Sequence, residues 1–281
     1  MIIDHDCNFV YFSELLELKC PNTFKQLTNQ FNQHQIKFGT LSNTKDLWVV
    51  DFMPIQVNPD YYLQFKYDPD YLKSPKEQNT KTDPMEVCNE IDIVPSIVDI
   101  VLDGGNIVKC QKKVILTTKV FKENHSYAEG DLIAEIQKQL HVEQVIIIPQ
   151  EPDDPIGHSD GMVRFIDEDT VLVNQYPKNK TYENFAYSLR WSLRNAGLRV
   201  MDLLYDSWEN KDKYDATGCY INFLEIGKYI FYPNYAVPSD QLALLKLKEA
   251  FGNERVFVDI DCRELAKLGG VLNCATWKVL K

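Results

Sequence analysis

The sequence predicts an α/β chain built as a ring of five ββαβ units, a five-bladed pseudo-symmetric α/β propeller around a central polar pocket. Three observations lead there. A strand, strand, helix, strand order recurs with a period of roughly 50 to 60 residues, the internal repetition that marks a blade-like architecture. Four copies of that order are complete within the chain. The leftover ends complement one another, so a fifth copy closes by joining the two termini, which makes residues 1–281 a single domain.

The first complete unit opens with the apolar run 47–51, read as a first strand with Asp51 at its end. Residues 61–65, a short helix near 85–90 and 97–102 complete it. Within it, the segment from Lys66 to Pro84 is rich in Pro, Lys, Asp and Asn; its 68–84 portion reads as a surface loop insertion, either an inert excursion or a lid over the centre. The second unit has strands at 107–108, 114–116 and 145–148, with a helix near 131–140. The third has strands at 162–165, 170–173 and 200–204. Its helix near 182–196 places Phe185, Leu189 and Leu193 on one face, with Thr181 suited to the N-cap and Gly197 to the C-terminal cap. The fourth unit runs through 220–223, 229–232, a helix after Ser239 carrying Leu242, Leu245 and Leu247, and 256–258. In the fifth, 270–274 offers the first strand, while 9–12, a helix near 22–33 and 36–38 supply the rest.

Composition narrows the function. A hydrophobic share of 44% in 281 residues supports a substantial core. The net charge of −11 argues against a phosphate-backbone partner, which needs a basic face, and is compatible with a cationic ligand. No apolar run approaches the ~18 residues a membrane span requires, and Met1 to Asp6 lack a signal-peptide pattern, so a cytoplasmic protein is expected. The seven cysteines are scattered without C-x-x-C spacing, so neither a disulfide framework nor a zinc site is implied. No metal or organic cofactor is expected; oligomeric state is open, with a homodimer as one option.

A few side chains stand out as carriers of chemistry. Cys274 supplies a thiol, His158 an imidazole, and Asp51, Asp103 and Asp160 supply carboxylates. In a closed ring these distant segments all point at the axis. A guanidinium group is a planar cation with a resonance-deactivated carbon, so breaking its C–N bond needs a strong nucleophile and fixed counter-charges. Asp51 and Asp160 suit a carboxylate clamp, Cys274 the nucleophile, His158 the acid and base, and Asp103 the group that orients the imidazole. Taken singly, each also has a plain reading: a packed cysteine, a turn histidine, a Gly-Gly turn, a strand end.

Read in order, the stretches Trp48-x-x-Asp51-x-x-Pro54, Asp103-Gly104-Gly105-Asn106 with Val114 to Thr118, Gly157-His158-x-Asp160 with Arg164-Phe165, Tyr220 to Phe223, and Gly269-Gly270 before Cys274 resemble the agmatine deiminase and bacterial peptidylarginine deiminase family. That family belongs to the guanidino-group-modifying superfamily with the pentein fold. The resemblance covers most of the chain. It implies a small-molecule guanidino substrate, with Cys274, His158 and Asp103 catalytic and Asp51, Asp160, Trp48 and Asn222 around the substrate, Asn222 as structural support. The chain departs from the family pattern at Val50, where Arg is usual, at Asn273, where His is usual, at Ala275 to Trp277, and at Asp103 in place of Glu. The same catalytic set serves amidino transfer and protein-arginine deimination, and the superfamily also holds a non-catalytic, ribosome-associated binding module.

Overall fold

Five three-stranded sheets make up the computed structural model, which describes residues 1–281, and all five repeat one connection. In each, a short first strand pairs antiparallel with a second, and a crossover helix leads to a third strand parallel to the second. The blades are β3 (Ile55–Asn58), β4 (Tyr61–Lys66) and β5 (Ser96–Val101); β6 (Val108–Lys109), β7 (Lys113–Thr117) and β8 (Gln144–Ile148); β9 (Val163–Asp167), β10 (Thr170–Asn174) and β11 (Arg199–Leu203); and β12 (Leu224–Ile226), β13 (Tyr229–Asn234) and β14 (Val256–Asp261). The fifth blade is closed by the chain ends: C-terminal β15 (Trp277–Val279) pairs antiparallel with β1 (Phe9–Ser13), and β1 pairs in parallel with β2 (Lys37–Leu41). The crossover helices are α1 (Pro21–Gln33), α2 (Pro84–Glu90), α3 (Glu129–Leu140), α4 (Tyr182–Asn195) and α5 (Ser239–Phe251). No helix is long and apolar enough to cross a membrane.

The core lies between the sheets and these helices. Second strands such as β10 are buried along their whole length, which is why they read as unbroken apolar runs. Neighbouring blades lock together through aromatics: Phe31 on α1 meets Phe231 on β13 edge to face, with centroids 5.1 Å apart. Each such buried ring contributes roughly 1.5–3 kcal/mol.

Several expectations need correction. First strands at 47–51, 220–223 and 270–274 are not strands. Residues Val49–Phe52 form a helical turn, 220–221 and 272–275 are turns, and the strands start downstream at Ile55, Leu224 and Trp277. These turns are as apolar and buried as a strand because they are wedged into the middle of the ring, and a short apolar run does not distinguish the two. On α5, Leu242 and Leu245 face solvent, and the inward residues are Ala243 and Leu247. Positions 245 and 247 lie about 200° apart on a helix and cannot share a face. Thr181 makes no side-chain cap; Asn179 Oδ1 accepts from the N–H groups of Thr181 and Tyr182 at 3.1 and 3.0 Å. Gly197 follows α4 at φ +83°, a conformation that favours glycine.

The 68–84 insertion is not an excursion away from the body. It contains a one-turn helix, Pro75–Gln78, with a capping box between Ser74 and Glu77, and its Leu72, like Tyr67 just before it, is buried. Asp70 pairs with the buried Lys119, and Tyr71 packs above the centre of the ring.

Two glycines are required by close approach. A Cβ on Gly104 would lie 1.9 Å from the Val50 carbonyl oxygen, and one on Gly270 would lie 2.6 Å from the Trp48 ring. Gly104→Ala should therefore push the Val49–Phe52 turn away and destabilise the protein by about 1–3 kcal/mol, read as a lowered urea midpoint. Gly130→Ala, whose Cβ would meet nothing within 4 Å, should leave the midpoint unchanged or raise it; equal midpoints for the two variants would contradict this account.

Candidate active site

In every blade, the segment just ahead of the first strand supplies side chains to one central site. Trp48 and Asp51 precede β3, Asp103 precedes β6, His158 and Asp160 precede β9, Asn222 precedes β12, and Asn273 and Cys274 precede β15. Hydrogen bonds hold these turns in place. Asn106 Oδ1 accepts from Thr117 N at 3.0 Å, tying the Gly-Gly turn to β7, and Thr117 Oγ1 donates to Gly157 O at 2.7 Å. Asp154 accepts from the N–H groups of Ile156 and Gly157 at 2.8 and 2.9 Å and so shapes the approach to His158.

His158 is buried between two carboxylates. Its Nε2 is 2.8 Å from Asp103 Oδ2, and its Nδ1 is 3.4 Å from Asp51 Oδ1. Asp51 Oδ1 also accepts from Gly105 N at 3.1 Å. The thiol lies against the third carboxylate, with Cys274 Sγ 3.5 Å from Asp160 Oδ2. Asn222 spans the two, donating from Nδ2 to Asp160 Oδ2 at 3.0 Å and accepting from Cys274 N at 3.2 Å. Trp48, packed on Gly270, forms a wall.

Three buried carboxylates around one imidazole set the protonation pattern. Burial works to lower the His158 pKa, but Asp51 and Asp103 outweigh it and hold it up at about 9. Asp51 is itself pushed up, chiefly by burial and against the pull of His158. The Cys274 thiol is raised well above its ordinary value by burial, then by the charges of Asp160 and Asp51. The resting site therefore pairs a neutral thiol with an imidazolium.

All of these but Asp103 line a cavity of about 350 Å³ whose outer wall carries Asp46, Glu77, Asp153, Asp154 and Asp215 beside one lining lysine, Lys213; Asp215 is also paired with Lys267. A second cavity of about 320 Å³ lies on the other side of Asp160. Its basic residues are ion-paired within the protein, Lys109, Arg164 and Lys278 sharing the single carboxylate of Asp4 and Arg255 pairing with Glu225.

The structure thus brings together Cys274, His158, Asp103, Asp51, Asp160, Trp48 and Asn222, all of the residues singled out in the sequence. It adds some that sequence reasoning missed. Tyr71 lies edge-on to the His158 ring, with centroids 5.9 Å apart. Glu151, buried under the phenols of Tyr176 and Tyr205 at 2.7 and 2.8 Å, has its pKa raised to about 8 by burial. Asn273 touches Asp160. Of these, Glu151 left a signal as part of the acidic run before His158, and Asn273 as a departure from the family pattern, with no role attached.

Comparison with known proteins bears on the fold and the family. The fold matches a C. jejuni agmatine deiminase with a TM-score of 0.79 at 18% identity, covering 100% of this chain and 95% of that one. An Enterococcus faecalis agmatine deiminase matches with a TM-score of 0.75 at 18% identity, covering 99% and 94%. Likenesses at that identity concern the five-bladed fold. In sequence, the agmatine deiminase of Pseudomonas fluorescens is 25% identical over 207 residues, which cover 63% of this chain and 56% of that protein. The chain spans just over half the length of the curated relatives it matches. The sequence model of the Porphyromonas-type peptidyl-arginine deiminase family matches residues 12–279, and the chain belongs to that family.

Proposed function

We propose that the protein hydrolyses the guanidino group of a small dicationic substrate, agmatine or a close relative, to a ureido group and ammonia. The observation that carries this reading is the placement of a thiol beside one carboxylate and an imidazolium between two others, at the base of an acid-walled cavity. The relatives named for agmatine deimination support it.

Once Asp51 is ionised, three carboxylates face one cation, so a guanidinium held between Asp51 and Asp160 supplies the charge that is lacking. It also offsets the two negative charges that, after burial, hold the thiol neutral. With the cation in place the thiol gives up its proton to solvent, and the resulting thiolate sulfur attacks the guanidinium carbon. His158 protonates the departing nitrogen, the C–N bond breaks, and ammonia leaves an amidino-thioether on Cys274. The imidazole, now neutral, takes a proton from water as that water attacks; the C–S bond breaks and the ureido product leaves. Asp103 keeps the ring oriented throughout.

The distal acids favour a substrate whose far end is an amine over one ending in a carboxylate, which would meet several like charges and one lysine. Agmatine should exceed free arginine in kcat/KM by about a hundredfold. Ammonia release from a panel of agmatine, arginine and arginyl peptides measures this; preference for arginine or for peptides would move the assignment to another member of the family, and a new guanidine formed from added glycine would move it to amidino transfer. Cys274→Ala should lower turnover by about 10⁴-fold or more, and undiminished turnover would remove the thiol from the mechanism.

The protonation pattern sets the pH profile. His158 is active as the imidazolium and its pKa is raised, so kcat/KM should fall as pH climbs through about 9 and the ring loses its proton. Asp51 clamps the cation as a carboxylate and its pKa is also raised, so activity should rise from the acid side later than an ordinary aspartate would allow. The optimum is expected on the alkaline side of neutrality. A profile already at its maximum near pH 5, where ordinary carboxylates are ionised, would refute this assignment.

A further inference from the structure

A chain of buried polar groups reaches Asp160 from the side of the ring opposite the acid-walled cavity. Lys278 Nζ and Arg164 Nη1 both donate to the side-chain oxygen of Asn273, at 2.6 and 2.8 Å. Cations have no lone pair to offer, so the amide can face them only with its oxygen, and its nitrogen is turned the other way. Asn273 Nδ2 accordingly donates to Asp160 Oδ2 at 2.8 Å. The same Oδ2 accepts from Asn222 and faces the Cys274 thiol. Every hydrogen bond to this carboxylate side chain falls on that one oxygen, and Oδ1 takes none from the protein.

The two cations would repel each other in this buried place without a counter-charge. Asp4, in the N-terminal turn, supplies it: its Oδ2 lies 3.0 Å from Lys278 Nζ and also pairs with Arg164. Lys109 lies 3.8 Å from its other oxygen. Burial lowers the Lys278 pKa, and Asp4 is the foremost group opposing this without fully offsetting it. The Arg164 guanidinium is further braced over the Phe223 ring at 5.0 Å.

We propose that Asn273 is a positioning residue for the reaction: oriented from behind by Arg164 and Lys278, its amide occupies one oxygen of Asp160 and leaves the other to grip the substrate's guanidinium. The inference deepens the functional reading above and rests on it for the identity of the cation. A neutral amide is suited to this task. It carries the orienting effect of two cations to the carboxylate without placing a positive charge beside the substrate's own, so the local field still favours a cation. Asn273 does not touch the reacting atoms and acts through Asp160.

The test compares alkylation of Cys274 by 2-chloroacetamidine, a cation that needs Asp160, with alkylation by its neutral isostere chloroacetamide. Both are followed by mass spectrometry on the full chain. In wild type the amidine should react faster. In N273A that preference should fall by about tenfold or more, the size expected for loss of one charge-assisted hydrogen bond. KM for agmatine should rise by a similar factor, and kcat should change less. K278M keeps the amide but removes one of the two groups orienting it; it should shift both readouts the same way by less, and it carries the test if N273A does not fold. A purely structural role would lower the melting temperature and the fraction of labelled protein while leaving the preference for the amidine intact. An unchanged preference and KM in a folded variant would overturn the inference. Failure of the functional reading looks different: wild type would release no ammonia from any guanidine, yet its amidine preference would still depend on Asn273.

Discussion

Pairing of the two chain ends is the constraint on which the site depends. Cys274 lies three residues ahead of β15, and β15 has one sheet partner, β1, through Phe9 opposite Val279 and Tyr11 opposite Trp277. Trp277 adds a hydrogen bond from its indole N–H to Pro54 O at 2.8 Å, which ties the closing strand to the blade that carries Asp51. Backbone contact continues this link, since Val50 N donates to Cys274 O at 3.3 Å. The nucleophile candidate is therefore held by segments from opposite ends of the sequence. Nothing local to residues 270–276 would place the thiol against Asp160 if the ring were open.

Around that thiol, the charge balance is set against stability. Asp51, Asp103 and Asp160 are all buried, and His158 is the one cation in contact with two of them. Asp103 also has a buried oxygen, Oδ1, without a hydrogen-bond partner, a rare and unfavourable condition for a carboxylate. Such an arrangement persists because the rest of the ring over-determines it, and it is what raises the pKa values of Asp51, His158 and Cys274. Behind the site, by contrast, one carboxylate, Asp4, faces three cations, Lys109, Arg164 and Lys278. The deficit of positive charge is concentrated where a cationic substrate would enter.

How much of this the sequence disclosed follows from which forces act locally. Second strands such as β7, β10 and β13 were legible because burial on both faces leaves an apolar run with turn residues at its ends. First strands were misplaced in three blades, at 47–51, 220–223 and 270–274, because the turns ahead of them are equally apolar. That error displaced elements without losing the site, since the singled-out residues sit in those very turns. The leucines of α5 marked the helix without marking its face: Leu242 and Leu245 are exposed, and the face that packs is set by Ala243 and Leu247. Asn273 stood out only as a departure from the family pattern, and neither its role nor that of Tyr71 was within reach of sequence reasoning. Their importance lies in contacts with residues more than a hundred and more than eighty positions away, respectively.

Tyr71 shows how an insertion in one blade is recruited to the centre. The 68–84 segment is short of apolar residues, so burial alone holds it weakly. A buried ion pair anchors it instead. Lys119, almost fully buried, lies 2.8 Å from Glu123 Oε1, and the same glutamate oxygen accepts from Asp70 N at 3.0 Å while the Asp70 side chain pairs with Lys119. Burial works against the Lys119 charge, but Asp103 and Glu123 more than restore it. Held between them, its ammonium sits 4.8 Å from the centre of the Tyr71 ring, on which it exerts a cation–π attraction, and Tyr71 in turn leans on His158. One buried cation thus positions the ring that covers the imidazole, and the electrostatics of Asp103 reach the insertion as well as the histidine.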